Sequence, residues 1–286
     1  MKLLKKLASA AALTMAFAAT ANASTVINDW QLNPQGTGLA GSSVINESLD
    51  VNGNAFIAIT ATSASTFNFT EHAVFAITGK DGGASLGSYQ NNLTATFVAN
   101  GSGTFAGGFT FTGGTINIYS SSTNVYATAT TNGVYGANTG TLIASFTVMA
   151  GGGGQVDGSG NPVANGQVSV FAQALTPGGL TPGYFFNSAG SDLSGQDIMA
   201  FAFTGANPIG SPSSTLVKEV ACEFAGYTGP GCTSGSYSNV PGQYVFVGNN
   251  GQFKLAEAPE PGSLALFGIA ILGAGVVSRK RASKAA

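Results

Sequence analysis

Thr66-Phe67-Asn68-Phe69-Thr70 and, two residues further on, Ala73-Val74-Phe75-Ala76-Ile77-Thr78 decide how this chain folds. Large apolar residues recur with a period of two in both runs, and Phe, Val, Ile and Thr are residues that favour β-strands. This period places one set of side chains on a buried face and the other set towards solvent. We therefore predict a half-buried β-strand at each run.

Similar runs recur along the body of the chain, separated by Gly, Asn, Ser and Pro. They lie at residues 55–60, 93–98, 109–112, 115–119, 142–149, 167–171, 199–204, 244–247 and 252–255. The four glycines at 151–154 indicate a turn or exposed loop, Asn165-Gly166 is a hairpin signal, and 248–251 indicates another hairpin turn. No helical period extends over ten residues of the body.

These strands predict an all-β fold with an antiparallel β-sandwich or a barrel-like body. A β-solenoid is the alternative, but no repeat of fixed length is present in the sequence. The predicted domain covers residues 24–258, a length that suits one large all-β domain or two small ones.

The body is acidic, although the whole chain has a formal net charge of only −2. Residues 24–258 contain eleven acids and three lysines, which gives this segment a formal net charge of −8. With no basic face to neutralise phosphates, it is not expected to bind nucleic acid. Because charged residues make up only 8 % of the chain, the surface must be covered by Ser, Thr, Asn, Gln and Gly, as in extracellular matrix-type proteins.

Two cysteines, Cys222 and Cys232, lie ten positions apart. In an exported protein such a pair favours a disulfide. Two thiols without a nearby histidine do not fill a tetrahedral zinc site, so the metal alternative is weaker.

Several short motifs suggest chemistry, and each has a simpler reading. Residues 83–87 match Gly-x-Ser-x-Gly, but the chain's only histidine, His72, lies upstream and no helix follows. The glycine-rich segment 101–106 resembles a dinucleotide loop but precedes no helix, so we predict a hairpin turn.

Acidic residues also suggest chemistry. Asp157 begins a segment, 157–161, with oxygen ligands at alternate positions, but Pro162 and Val168 occupy places where a calcium loop needs Gly and Glu. Glu71 beside His72 flanks a strand, and Asp192 and Asp197 are read as loop residues, although paired carboxylates for glycoside hydrolysis can be distant in sequence. We expect no catalytic residues, no cofactor and no metal.

The N-terminus carries a basic start at 1–6, an apolar run at 7–20 and the small-x-small site Ala21-Asn22-Ala23. This pattern predicts a secretory signal peptide over residues 1–23 that forms a helix and is cleaved before Ser24. A retained membrane anchor is the alternative, but the apolar run is short for a span of about 20 residues.

The C-terminus, residues 259–286, has three parts in order. Pro259-Glu260-Pro261 forms an extended segment that cannot continue a strand or helix. An uncharged apolar run at 264–277 predicts a short transmembrane helix, and Arg279, Lys280 and Arg281 then form a basic stop that resists crossing a membrane.

This terminal order resembles the PEP-CTERM sorting domain. The resemblance implies processing near Pro259-Glu260-Pro261 by an exosortase, a membrane-embedded transpeptidase-like enzyme. It also implies transient anchoring in the inner membrane, followed by release of the body to the cell surface or into exopolysaccharide.

The Thr/Gly-rich strand pattern over 105–146, with the loop 141–161, resembles the flocculation-associated PEP-CTERM protein. We therefore expect a non-enzymatic surface or extracellular-matrix protein, associated with exopolysaccharide and contributing to aggregation, floc or biofilm formation. The alternative is a secreted carbohydrate-binding module or polysaccharide-active enzyme, with Trp30, Tyr119, Tyr126 and Tyr184 as a sugar platform.

Overall fold

A computed structural model describes residues 25–87, 92–129, 134–163 and 166–258. Val26–Ala256 form one compact unit.

Strands dominate the described residues. They are β1 (Trp30–Leu32), β2 (Ser43–Ile45), β3 (Ser48–Ala61), β4 (Thr66–Lys80), β5 (Leu93–Thr104), β6 (Gly108–Ser120), β7 (Thr141–Val148), β8 (Gly151–Gln155), β9 (Gly166–Ala174), β10 (Phe185–Phe186), β11 (Ile198–Pro208) and β12 (Tyr244–Glu257). A 3₁₀ turn covers Leu193–Gly195, and an α-helical turn at Ser214–Leu216 continues as a π-helix over Val217–Phe224.

Eight of these strands form a closed antiparallel barrel. Neighbours follow the order of the chain, β3-β4-β5-β6-β7-β9-β11-β12, and β12 then pairs with β3 along Tyr244–Lys254 and Ala58–Ser48. Strands β7 and β9 share only two residue pairs, and β8 lies beside this short seam and pairs with both β6 and β9. The all-β prediction is confirmed, and the barrel-like form is the one adopted.

Several predicted runs belong to longer strands than expected. The two opening runs form one strand, β4. The runs 109–112 and 115–119 are both part of β6, whose pairing with β5 shifts register between Asn100 and Gly101 of β5. The predicted hairpin turn at 248–251 is wrong, because these residues pair with β3 in the middle of β12. A Cβ on Gly251 would lie 2.0 Å from the carbonyl oxygen of Phe203, so glycine here permits close strand packing rather than a turn.

The glycine run was also misread. Residues 151–154 belong to β8, not to a turn or exposed loop. Gly153 has φ +112°, and a Cβ there would lie 1.9 Å from the carbonyl oxygen of Phe109. Only glycine lets this strand lie against β6 so closely.

The helical segment was not predicted from the sequence. It begins at Ser213, whose hydroxyl accepts a hydrogen bond from the Leu216 amide at 3.1 Å. The helical segment 214–224 buries Leu216, Val217 and Val220 at the i, i+1 and i+4 spacing of an amphipathic helix, so the sequence does carry a helical signal here.

A three-stranded sheet, β10-β1-β2, packs on the same hydrophobic core as the barrel interior. Trp30 is fully buried in this sheet and stacks on Phe185, with ring centroids 6.1 Å apart. Beside it, the two ends of the compact unit meet: Val26 bridges Ala256, and the Ile27 amide donates to the Leu255 carbonyl at 2.9 Å.

Within the described ranges, no helix has the length and hydropathy needed to cross a membrane. The predicted signal helix and the predicted transmembrane helix at 264–277 both lie outside those ranges.

Candidate functional site

The barrel interior contains an apolar cavity. Alternate residues of β4 point into it, namely Phe67, Phe69, Glu71, Phe75 and Ile77. The cavity has a volume of about 80 Å³.

Glu71 is the acid in this cavity. The residue is 7 % exposed, and its carboxyl group makes no hydrogen bond or ion pair with another described residue. Burial without a compensating partner disfavours the charged form and raises the pKa of Glu71 from 4.5 to about 7. A carboxyl group with a raised pKa in a cavity is a candidate functional group.

The other described lining residues are mostly aliphatic or aromatic. Thr204 on β11 and Asn249 on β12 add two polar side chains, and Asn249 is 6 % exposed. Small residues, including Ala95 and Ala202, leave the central space open. The described wall of the cavity thus offers one ionisable group, Glu71.

The loop 156–163 bounds one end of the cavity through Val156, Gly160 and Pro162. Backbone hydrogen bonds hold it on two sides: the Ala106 amide donates to the Asp157 carbonyl at 2.9 Å, and the Gly242 amide donates to the Ser159 carbonyl at 2.8 Å. This loop is therefore fixed to two neighbouring turns of the barrel.

Asp157 organises that loop as a polar turn. Its Oδ1 accepts hydrogen bonds from the amides of Ser159 at 2.8 Å and Asn161 at 2.9 Å, and Oδ2 accepts from Asn161 Nδ2 at 3.2 Å. These protein donors use the carboxylate oxygens that a calcium ion would need. Among the described residues there is no group of three or more His, Cys, Asp or Glu side chains that could hold a metal.

A second hydrophobic cluster, here called the outer cluster, covers the outside of β3, β4 and β12. Its buried residues are Phe56, Val74, Ala137, Leu216, Val217, Val220, Ala221 and Phe246. The predicted disulfide between Cys222 and Cys232 is present beside this cluster, with a Cα–Cα distance of 5.6 Å. It ties the π-helix to the loop that follows.

The outer cluster also buries a glutamate. Glu219 is fully buried, and its Oε2 accepts a hydrogen bond from the Tyr135 amide at 3.2 Å. Its Oε1 lies 4.0 Å from Lys218 Nζ and has no hydrogen-bond donor within the described part of the chain.

The structure separates the residues of the Gly-x-Ser-x-Gly hypothesis. His72 lies mid-strand rather than beside one, points out of the barrel and contacts the Phe224 ring edge-on at a centroid distance of 5.0 Å. Ser85 lies in the turn that follows Lys80, the last residue of β4, and Lys80 is eight residues beyond His72 on that strand. At ~3.3 Å per residue this separation is roughly 25 Å, so the two cannot act together.

Asp192 and Asp197 are loop residues, as expected. Asp192 accepts from the amides of Ser194 and Gly183 at 2.8 and 2.6 Å, and Asp197 accepts from the amide and hydroxyl of Thr176 at 2.7 and 2.9 Å. The hydrogen bonds from Thr176 lower the pKa of Asp197. Each carboxylate thus accepts hydrogen bonds from loop residues around it, and neither lines the cavity.

The four aromatics of the sugar-platform hypothesis do not share a surface. Trp30 is fully buried, so its assignment to an exposed platform is wrong. Tyr184 packs against the barrel core, whereas Tyr126 packs against the outer cluster and donates to the Val74 carbonyl at 3.2 Å. Tyr119 lies on β6 and is half-buried.

Comparison with known proteins concerns the C-terminus. Residues 257–281 match the model of the PEP-CTERM protein-sorting motif. The chain carries a PEP-CTERM sorting signal. The match includes Pro259, Glu260 and Pro261 and the basic residues Arg279, Lys280 and Arg281, and it identifies an exported protein that is processed by an exosortase. No curated protein and no solved structure shows significant similarity to the chain.

The processing residues themselves lie outside the described ranges. They are Ala21, Ala23 and Ser24 at the predicted signal-peptide site, and the motif and basic stop at 259–261 and 279–281. Their roles rest on the sequence and, at the C-terminus, on the motif match.

Glu71 is the residue whose position sequence reasoning missed. The two opening runs were treated as separate strands, which left Glu71 between them. Continuing the period of two from Phe67 and Phe69 through to Phe75 and Ile77 places Glu71 on the inward face. This uninterrupted alternation of inward and outward side chains is the sequence signal that places Glu71 inside the barrel.

Proposed function

We propose that this exosortase-sorted protein delivers a non-enzymatic β-barrel to the cell surface or the exopolysaccharide matrix, where it contributes to aggregation, floc or biofilm formation. The observation that carries the proposal is the sorting motif at residues 257–281. The predicted signal peptide, the acidic body and its low content of charged residues support an extracellular destination.

The absence of enzymatic activity is part of the proposal. It is supported by the roughly 25 Å separation of Ser85 from His72 and by the local use of Asp192 and Asp197. We expect the mature protein to release no reducing sugar from native exopolysaccharide. Release of sugar would favour a polysaccharide-active enzyme instead.

The test of sorting compares the mass and location of the wild-type protein with those of Glu260→Ala in the native host. We expect the wild type to be trimmed at both ends and to leave the membrane fraction, whereas Glu260→Ala stays there with its tail attached. Glu223→Ala, which changes an exposed glutamate of the body, is the matched control and should be sorted like the wild type.

The matrix role has its own measurement. Deleting residues 259–286 should abolish association with extracted exopolysaccharide and reduce settling of the cells. A strain that lacks the protein provides the contrary outcome. If its cells settle like the wild type while the wild-type protein is sorted normally, the aggregation role is contradicted and the sorting result stands.

A further inference from the structure

The barrel interior has unfilled space at its centre. A barrel of eight strands is either filled by its own side chains or retains room for one small ligand. Here the described lining leaves a cavity of about 80 Å³, although Phe67, Phe69, Phe97 and Phe111 also point inward. Small side chains at Ala95, Ala202 and Ala206 contribute to that space.

This cavity suits an apolar ligand body. Phenylalanine rings and Val and Ile side chains form most of its described wall. A ligand with a small hydrocarbon body would fill the space and displace water from this apolar surface.

Glu71 specifies the polar part of the ligand. The residue is 93 % buried, and its carboxyl group faces the cavity and has no partner among the described residues. None of Lys80, Lys218 and Lys254, the body's three lysines, lines the cavity, so the described part of the chain supplies no cation there. The missing partner is therefore a hydrogen-bond donor carried by a ligand, and a protonated amine is the donor that complements a carboxylate best.

The geometry points to the following assignment. We propose that the barrel interior binds a small, largely apolar amine, whose nitrogen donates a hydrogen bond to the Glu71 carboxylate while its hydrocarbon part packs against the phenylalanine-rich wall. This site is independent of the sorting signal and does not rest on the proposed matrix role.

Three probe molecules of nearly equal size distinguish the contribution of the amine from that of the hydrocarbon part. Benzylamine carries the amine, benzyl alcohol replaces it with a neutral hydroxyl, and toluene has no polar group. Binding of each to the full-length protein is measured by titration calorimetry and by the shift in unfolding temperature. We expect benzylamine to bind about tenfold or more tightly than either analogue, because a hydrogen bond to a charged group exceeds a neutral contact by this amount.

Variants then locate the site. Glu71→Gln keeps the shape of the side chain and removes its charge, so benzylamine affinity should fall about tenfold or more while toluene affinity changes little. Glu223→Gln, at an exposed carboxylate outside the cavity, should leave all three affinities unchanged. Ala202→Leu fills the cavity and should weaken all three probes.

Unfolding curves for each variant establish that it is folded before binding is compared. Equal benzylamine affinity in the wild type and Glu71→Gln would overturn the proposal, as would benzylamine binding that Ala202→Leu leaves intact. Failure of all three probes to bind the wild type would also overturn it. Preferential binding of benzyl alcohol would reject the amine and identify a neutral ligand.

Discussion

The barrel interior and the outer cluster each bury one glutamate, but they treat it differently. In the outer cluster, Glu219 accepts a hydrogen bond from the Tyr135 amide and lies 4.0 Å from the ammonium of Lys218. In the interior, Glu71 faces an unfilled cavity and has no partner in the described part of the chain. The fold therefore holds Glu219 through one carboxylate oxygen, while its Oε1 has no donor among the described residues. Glu71 has no such protein donor within the described ranges and faces open space, which leaves it available to a ligand.

The two regions also differ in packing. The ring of Phe56 lies 5.2 Å from that of Tyr227 and 5.3 Å from that of Phe246, and a disulfide closes the adjacent segment. The interior cluster is larger, yet it retains its central space. The outer cluster thus acts as a packed support for one side of the barrel, and the predictions below test this division.

The largest effect is expected from Phe56→Ala in the outer cluster. Phe56 is 1 % exposed, so its removal should lower the free energy of unfolding by about 3–5 kcal/mol. Chemical denaturation monitored by circular dichroism measures this loss. Phe201→Ala, on the outer surface of β11 where Phe201 is half-buried against Phe171, is the control and should cost clearly less. Equal losses would remove the distinction between packed cluster and ordinary barrel surface.

Glu71 should make stability depend on pH in a defined direction. Its pKa is raised from 4.5 to about 7 on folding, so the folded state binds more protons within this window. Stability from this group is therefore fully present below pH 4.5 and is lost as the pH rises through 7, by about 3 kcal/mol in total. Denaturation curves at several pH values should show this slope in the wild type and not in Glu71→Gln.

The matched control for that slope is Asn249→Leu, which changes a polar cavity residue that does not titrate. It should keep the wild-type pH dependence. A Glu71→Gln variant with the same slope as the wild type would mean that Glu71 is charged and partnered when folded, and the contrast with Glu219 would disappear.

The disulfide should stabilise the outer cluster by a smaller amount. Replacing Cys222 and Cys232 by Ser should lower the free energy of unfolding by about 2–3 kcal/mol, because the bond closes a short loop. Hydrogen exchange should quicken mainly over 214–244 and much less in β5 and β6. Reductant should reproduce the loss in the wild type and leave the double variant unchanged. Equal acceleration throughout the barrel would show that the two regions unfold as one.

The smallest effect is expected at the end of the cavity. Asp157→Ala removes the acceptor for two backbone amides in the loop 156–163 and should lower the unfolding temperature by about 2–4 °C. Asp157→Asn keeps an acceptor oxygen and should retain most of that stability in a thermal melt. A loss as large in Asp157→Asn would indicate that the charge matters, and the role of Asp157 as a simple turn residue would need revision.

The sequence was sufficient for the fold class because alternation with a period of two recurs throughout the body. It was not sufficient for strand length. Glycine and asparagine at 248–251 look like a turn, yet they continue β12 because Asn249 points inward and Gly251 permits close contact with β11. Such uses of glycine depend on neighbours that are distant in sequence.

The candidate site was only partly accessible to sequence reasoning. Cys222 and Cys232 lie close enough in the chain for their pairing to be inferred, and the sorting motif is a local pattern. The cavity depends on eight strands closing into a ring, so neither its volume nor the isolation of Glu71 follows from any local stretch. The role of Trp30 was misjudged for the same reason, since β10 covers it from more than 150 residues away.

The meeting of Val26 and Ala256 makes the barrel nearly a closed loop of polypeptide. A short linker between these residues would leave the unit without ends, and new ends could be opened at the exposed turn 62–65 between β3 and β4. Circular permutation is tolerated at such turns when the original termini are adjacent. The cyclic succession of strands, rather than the residue at which translation starts, therefore defines this barrel.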